Sequence, residues 1–187
     1  GTALNAPPSI AGVFGRGRGF SASAEQGIHY PYEDVPYSPF TIELFVDADD
    51  VGDMWWMAIQ NSHRWSLGWW DLVPTFAFNA GSHASLGNRY VAIDRYVHYA
   101  CSYDGAWMRY YVDGELLAEA ENLDTSTSAL AGVHVAHDPA SGEHGAPYTS
   151  MRIDNLRIST VAREDFSYAL GGNRTLSELA CEQRLTP

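Results

Sequence analysis

The sequence predicts an all-β fold in which two antiparallel sheets pack face to face, a sandwich of the jelly-roll type. Two Asp-Gly pairs, Asp104-Gly105 and Asp113-Gly114, separate runs of residues that are rich in aromatic and β-branched side chains. This pattern is typical of β-hairpins. Along 40–46, Phe40, Ile42, Leu44 and Val46 also alternate with Thr41, Glu43 and Phe45, as in a β-strand. About a dozen short strand patterns at near-regular spacing favour a sandwich over an α/β fold.

The first half of the chain gives these elements in order. Residues 1–19 contain a Pro-Pro pair and a Gly-Arg alternation and are predicted to be irregular. Residues 20–30 predict one or two short strands, and 40–46 a core strand. Further strands are expected at 54–59, 65–69 and 74–79, followed by a loop rich in Gly, Ser and His at 81–88.

The second half contains the strongest pattern, a three-stranded meander with strands at 96–103, 106–112 and 115–120. Type I′ turns are expected at both Asp-Gly pairs, because such a turn needs positive φ at its two central residues. Alternation on the middle strand separates Met108, Tyr110 and Val112 from Trp107, Arg109 and Tyr111. The last strands are predicted at 130–136 and 149–159, and a short helix at 175–185.

Length and charge restrict the classes of function. The chain has 187 residues, enough for one well-packed β domain, and no apolar run of the ~20 residues that a membrane helix needs. Its net charge is −12 and all eleven of its basic residues are arginines. Nucleic acid is therefore not an expected partner, because phosphate contacts need clustered cations. The chain begins with Gly, and we expect a processed or excised piece of a larger, multidomain protein.

Three segments together resemble the concanavalin A-like, laminin-G-like jelly-roll domains. The sequence FTIELFV at 40–46 resembles an early core strand of that family. YVHYACSYDG at 96–105, followed by YYVDG at 110–114, resembles its central strand and turn, and MRIDNLRI at 151–158 its closing strand. The resemblance implies one domain over 1–187, with 160–187 as a C-terminal extension that carries the predicted helix. It also implies glycan or protein partners, but no single activity.

Clustered tryptophans are the first candidate site. Trp55, Trp56, Trp69 and Trp70 lie close together in the sequence, and adjacent residues of a strand point to opposite faces of a sheet. One member of each pair should therefore face away from the core, where aromatic rings can stack on sugars. His63 and Arg64 lie between the two pairs and are expected to supply polar contacts. The sequence thus predicts a glycan-binding surface.

Calcium and a disulfide are the next candidates. The acidic turn after strand 40–46 offers several hard oxygen ligands, and jelly rolls of the resembling family use an aspartate of the closing strand, here Asp154, for structural calcium. The candidate calcium ligands are Asp154, Asp47, Asp49, Asp50 and Asp53. Cys101 and Cys181, the two cysteines of the chain, are expected to form a disulfide that ties the C-terminal segment to the sheet. The alternative is two free buried thiols.

Catalytic patterns are weaker. Glycosidases of this fold place two carboxylates on one strand face, and no such spacing occurs; Glu43 is alone on its strand and is expected to be a solvated charge. The histidines near 134–144 lie on a strand end and a loop, where their spacing does not predict a metal site. We therefore predict a non-catalytic carbohydrate-binding or adhesion module, secreted or on a cell surface. A polysaccharide hydrolase or lyase of the same fold is the alternative.

Overall fold

The computed structural model describes residues 2–30, 39–48, 56–61, 65–70, 73–78, 82–85, 95–121, 132–137 and 148–166. These ranges contain strands and no helix, so none that is long and apolar enough to cross a membrane. The helix predicted at 175–185 lies outside the described residues. The strands are β1 (Thr2–Leu4), β2 (Ser9–Gly12), β3 (Gly15–Phe20), β4 (Gly27–Tyr30), β5 (Phe40–Ala48), β6 (Trp56–Asn61), β7 (Trp65–Trp70), β8 (Val73–Phe78), β9 (Ser82–Ser85), β10 (Val97–Tyr103), β11 (Trp107–Val112), β12 (Glu115–Glu121), β13 (Val133–Val135) and β14 (Met151–Ser159).

The described strands form two antiparallel sheets, which confirms the predicted sandwich. The first sheet has the order β1-β4-β13-β6-β7-β8-β9, and the second has the order β12-β11-β10-β5-β14-β3-β2. Neighbours in space are often distant in sequence: β5 lies between β10 and β14. Pairing between strands that are distant in the sequence is typical of a jelly roll, in which two sheets pack around one hydrophobic core.

Side chains from both sheets fill the space between them. Strand β5 supplies Phe40, Ile42 and Leu44, each at most 1% exposed, and β11 supplies Met108 and Tyr110. The first sheet contributes through residues that include Leu67, Phe76, Val133 and Val135. Alternation therefore predicted the inward face of the meander correctly, Tyr110 included.

The hairpin between β11 and β12 has the predicted type I′ geometry. Asp113 and Gly114 have φ values of +48° and +84°. The turn is also tied to β10, because the backbone N–H of His98 donates to Asp113 Oδ1 at 3.0 Å and that of Asp113 donates to the His98 carbonyl at 2.8 Å. A glycine at position 114 adopts this backbone conformation without the steric cost that a Cβ adds.

The hairpin between β10 and β11 differs from the prediction. Only Gly105 has positive φ, +109°, and the backbone N–H of Asp104 donates to the carbonyl of Trp107 at 3.3 Å. The loop is therefore centred on Gly105 and Ala106, and the type I′ turn predicted at Asp104-Gly105 is wrong. The Asp104 side chain replaces the missing backbone bond by accepting the N–H of Trp107 at 2.8 Å.

Two segments predicted to be irregular are strands. Residues 1–19 contain β1, which pairs with β4, and the β2–β3 hairpin, which extends the second sheet through β14. Glycine permits this packing: a Cβ added at Gly17 would lie 2.6 Å from the carbonyl oxygen of Ile153. Strand β9 likewise lies within the predicted loop at 81–88 and pairs with β8. Edge strands are short, and their pairing partners rather than their composition define them.

Candidate functional site

The hairpin from Asp104 to Arg109 is held by one carboxylate. Asp104 Oδ1 accepts the backbone N–H groups of Ala106 at 2.9 Å and of Trp107 at 2.8 Å. Its Oδ2 accepts Arg109 Nη1 at 2.7 Å. Partial burial acts to raise the pKa of Asp104, but these hydrogen bonds outweigh it and hold the pKa below its ordinary value. Asp104 therefore stays ionised and fixes the start of β11.

Trp107 stands at this start with its ring open to solvent. Its neighbour Met108 is fully buried in the core, so alternation turns Trp107 to the outer face of the second sheet. It is 40% exposed, and its cross-strand partner on the edge strand β12 is Glu121. An exposed tryptophan on a rigid strand offers a flat apolar surface at little conformational cost.

Arg109 lies two residues further along the same face and is surrounded by carboxylates. Besides Asp104, its guanidinium lies 3.6 Å from Glu119 Oε2 and 3.3 Å from Glu164 Oε1. The hydrogen bond that Arg109 donates to Asp104 is the main reason that the pKa of Arg109 is raised. The two glutamates keep 50% and 67% of their side chains exposed. We call Asp104, Trp107, Arg109, Glu119, Glu121 and Glu164 the Trp107 surface.

Part of this outer face, over β5, β10 and β11, is covered by the segment that follows β14, residues 161–166. Thr41 Oγ1 donates to the carbonyl of Val161 at 2.7 Å and accepts the N–H of Arg163 at 2.9 Å. Phe166 packs on Tyr111, with ring centroids 4.7 Å apart, and on His98 at 5.7 Å. Glu164 of this segment reaches Arg109 in the Trp107 surface, and the Trp107 ring stays 40% exposed.

A buried charge cluster lies beneath the same segment. Glu43 is 3% exposed and pairs with Arg163 and, at 3.1 Å, with Nε of Arg157. His98 Nε2 lies 3.5 Å from the other oxygen of the Glu43 carboxylate. The expectation that Glu43 is a solvated charge is therefore wrong, because two guanidiniums from β14 and the covering segment compensate its burial. The cluster fastens the cover and leaves Glu43 inaccessible to a substrate.

The predicted tryptophan cluster lies on the first sheet. Trp55, His63 and Arg64 fall outside the described residues, and Trp56, Trp69 and Trp70 are described by backbone alone. The pairing register makes Trp56 and Trp69 direct partners on β6 and β7. Trp69 is two residues from Leu67, which is 1% exposed in the core, whereas Trp70 has the opposite strand parity. The glycan-binding surface expected at these tryptophans therefore stays a prediction.

The two described calcium candidates differ in their surroundings. Asp154 Oδ2 accepts the backbone N–H of Phe14 at 2.8 Å, and its Oδ1 accepts that of Asn155 at 2.8 Å, so both oxygens serve the fold. Asp47 Oδ2 binds Arg152 at 2.6 Å, whereas Asp47 Oδ1 is buried without a hydrogen-bond partner in the described ranges. Asp49, Asp50 and Asp53 lie outside these ranges. No group of three or more His, Cys, Asp or Glu side chains suited to a metal occurs within them.

Cys101 has no disulfide partner within the described ranges and is fully buried on the inward face of β10. Burial raises its pKa well above the ordinary value. Cys181 lies outside the described residues, so their pairing stays a prediction. For this disulfide to form, the C-terminal segment would have to reach the space between the two sheets, because Cys101 lies there.

Histidines from distant parts of the chain meet on the first sheet. His29 on β4 stacks on His134 of β13, with ring centroids 4.5 Å apart, and His137 stacks on Tyr148 at 4.8 Å. His134 and His137 are 5.5 Å apart between centroids. In the sequence only His134 and His137 are neighbours, and the pairing of β4 with β13 brings His29 to them. These contacts are packing between aromatic rings.

Comparisons with known proteins agree with this architecture. A family model described as the concanavalin A-like lectin/glucanases superfamily matches residues 22–165, and the chain belongs to this family. No curated protein sequence matches it. The family assignment confirms the predicted resemblance.

Solved structures with the same fold include three with carbohydrate in their descriptions. Domain 4 of AbnA, an extracellular GH43 arabinanase of Geobacillus stearothermophilus solved with arabinotriose, has a TM-score of 0.66 and 18% identity, over 96% of this chain and 82% of that one. A candidate carbohydrate-binding protein of Bacteroides ovatus gives 0.63 and 18%, over 79% and 43%. The binding domain of botulinum neurotoxin DC with SialylT gives 0.60 and 14%, over 84% and 41%.

At these identities the similarity shows the fold alone. The chain spans less than half of the Bacteroides ovatus protein and of the neurotoxin binding domain.

The sequence placed Trp107 on the outer face but did not include it in the site. The usable signal was its alternation with Arg109 and Tyr111 beside a buried Met108.

Proposed function

We propose that this protein is a non-catalytic carbohydrate-binding module and that the Trp107 surface holds the sugar. The observation that carries the proposal is the exposed Trp107 ring, fixed on a strand beside ionised and hydrogen-bonding side chains. The ring would stack on the apolar face of a sugar, and the exposed oxygens of Glu119 and Glu121 would accept its hydroxyl groups. The carbohydrate-related descriptions of structures with this fold support the proposal.

The expected contribution of the ring follows from its area. A tryptophan presents up to about 250 Å², so 40% exposure leaves roughly 100 Å² for a sugar to cover. At about 25 cal/mol per Å² this amounts to about 2.5 kcal/mol, or about 60-fold in Kd. Replacing Trp107 should lower the affinity for glycan and change the free energy of unfolding little, because its ring is outside the core.

The test is a screen of neutral and charged glycans with wild type, Trp107→Ala and Leu116→Ala. Leu116 is a matched control: it is 49% exposed on the adjacent strand β12, apolar, and not aromatic. Trp107→Ala should lose at least about tenfold in affinity while Leu116→Ala and the melting temperatures stay unchanged. Equal binding by wild type and Trp107→Ala would disprove this location.

Trp70→Ala belongs in the same screen because the tryptophan cluster of the first sheet is a competing location. Loss of binding in Trp70→Ala alone would move the site to β7. A polysaccharide-degradation assay on wild type separates binding from the enzymatic alternative. Product release would contradict the non-catalytic role.

Three further parts of the proposal rest on the sequence. The glycans and surface proteins that such modules recognise are extracellular, so secretion or surface display belongs to it. Calcium would be held by Asp47, near the end of β5, and the acidic residues that follow β5 in the sequence; the buried Oδ1 of Asp47 suits a cation better than the occupied oxygens of Asp154. A Cys101–Cys181 disulfide would anchor the C-terminal segment.

A further inference from the structure

The charges around Trp107 indicate which sugars it accepts. Glu121 is the direct cross-strand partner of Trp107, and Glu119 is the partner of Arg109 one row further along the same face. Asp104 precedes the ring and is held ionised. A ligand stacked on Trp107 would therefore have carboxylates on more than one side.

The guanidinium in this surface is already occupied. Arg109 keeps 16% of its side chain exposed and faces Asp104, Glu119 and Glu164. Proteins that bind a sugar carboxylate use a guanidinium fork or another cation to compensate the charge when water is removed. Here such a ligand would have to displace carboxylates of the protein from Arg109. Displacing Asp104 would cost a charge-assisted hydrogen bond, and displacing Glu119 or Glu164 would cost an ion pair.

All charged side chains of the edge strand β12 are negative. Strand β12, ELLAEAE, carries Glu115, Glu119 and Glu121 and no basic residue, in a chain of net charge −12. These carboxylates repel an anionic glycan, both as it approaches and once it is bound. The hydroxyls of a neutral sugar instead donate hydrogen bonds to the same carboxylates.

We infer that the Trp107 surface selects uncharged glycans and rejects those that carry sialate or uronate groups. The inference deepens the proposed function and rests on it. Stacking on Trp107 supplies affinity for both kinds of chain, and the carboxylates of Asp104, Glu119 and Glu121 discriminate between them. Repulsion between exposed charges is screened by salt, so the discrimination should be largest at low ionic strength.

The experiment measures Kd for matched pairs of probes that differ only in the acidic sugar, such as lactose with sialyllactose and xylo-oligosaccharides with and without glucuronate. At about 20 mM salt the acidic member should bind at least about tenfold more weakly, and the gap should narrow at about 500 mM. The double variant Glu119→Gln/Glu121→Gln should reduce the gap to below about threefold. The readout is the ratio of the two Kd values, because Glu119 and Glu121 also accept hydroxyl groups of the neutral member.

Glu115→Gln is the control for net charge. It removes one carboxylate from the same exposed strand at the far end from Trp107, opposite Val112, and should leave the gap unchanged. Equal or tighter binding of the acidic member by wild type, with Trp107→Ala still deficient, overturns the charge selection and leaves the proposed function standing. If Trp107→Ala binds all probes as wild type does, or wild type binds none, the proposed function fails and the inference with it.

Discussion

Two tyrosines of the β10–β11 hairpin allow a sharp test of the described packing. Tyr110 is fully buried between the sheets, and its hydroxyl has no hydrogen-bond partner among the described residues. Burial is the main reason that its pKa lies well above the ordinary value. Tyr103 is also buried, but its hydroxyl donates to the carbonyl of Gly105 at 2.9 Å. Removing the same oxygen atom from each should therefore have opposite effects.

The magnitudes follow from these surroundings. A buried polar group without a partner costs about 1–3 kcal/mol, whereas a typical hydrogen bond contributes about 1 kcal/mol. Tyr110→Phe removes the uncompensated hydroxyl and leaves a space of only one atom, so we expect it to stabilise the fold by about 1 kcal/mol. Tyr103→Phe should destabilise it by about 1 kcal/mol, because the hydrogen bond to Gly105 is lost. The cost stays near this value because Gly105 is exposed, so its carbonyl is rehydrated when the hydroxyl is removed.

The assay is reversible unfolding in urea together with thermal melting. For a domain of this size 1 kcal/mol corresponds to about 2–4 °C, so the two variants should differ by about 4–8 °C in Tm. Each variant serves as the other's control for the loss of a hydroxyl. If Tyr110→Phe loses as much stability as Tyr103→Phe, the Tyr110 hydroxyl is hydrogen-bonded in solution and the reasoning is refuted.

Four other predictions concern the turns, the charges and the sequence-based sites. Gly114→Val should lower the free energy of unfolding by about 1 kcal/mol or more, because valine disfavours positive φ; an unchanged urea midpoint would contradict this. Because the pKa of Asp104 is lowered in the folded protein, its ionised form stabilises the fold above its ordinary pKa, 3.8, and this stabilisation is lost as the pH falls below that value. Asp104→Asn should therefore flatten the dependence of Tm on pH below about pH 4 and leave that dependence unchanged near neutral pH. If the turn at Asp47 binds calcium, EDTA should lower Tm and added calcium should restore it; no shift in either direction removes the calcium proposal. Thiol titration of the unfolded, unreduced protein should find no reactive thiol if Cys101 and Cys181 are bonded, and two if they are not.

Local sequence patterns were sufficient for much of the fold. The alternation of β5 and β11 predicted their inward faces because it depends only on the two-residue period of a strand. Asp113-Gly114 predicted a type I′ turn because the φ preference belongs to those two residues. At Asp104-Gly105 the same dipeptide did not form this turn, because the Asp104 side chain bonds Ala106, Trp107 and Arg109 instead.

What the sequence determined by itself was the β class, the inward faces and the family. The tertiary structure decided which outward faces are covered. Thr41 meets Val161 across 120 residues of sequence, and the Phe14 N–H meets Asp154 across 140. Contacts of this range bury Glu43 and turn the glycine-rich start of the chain into strands, whereas Trp107 stays 40% exposed. A periodic pattern shows which side of a strand is polar, but only the folded chain shows whether that side meets water, a covering segment or a ligand.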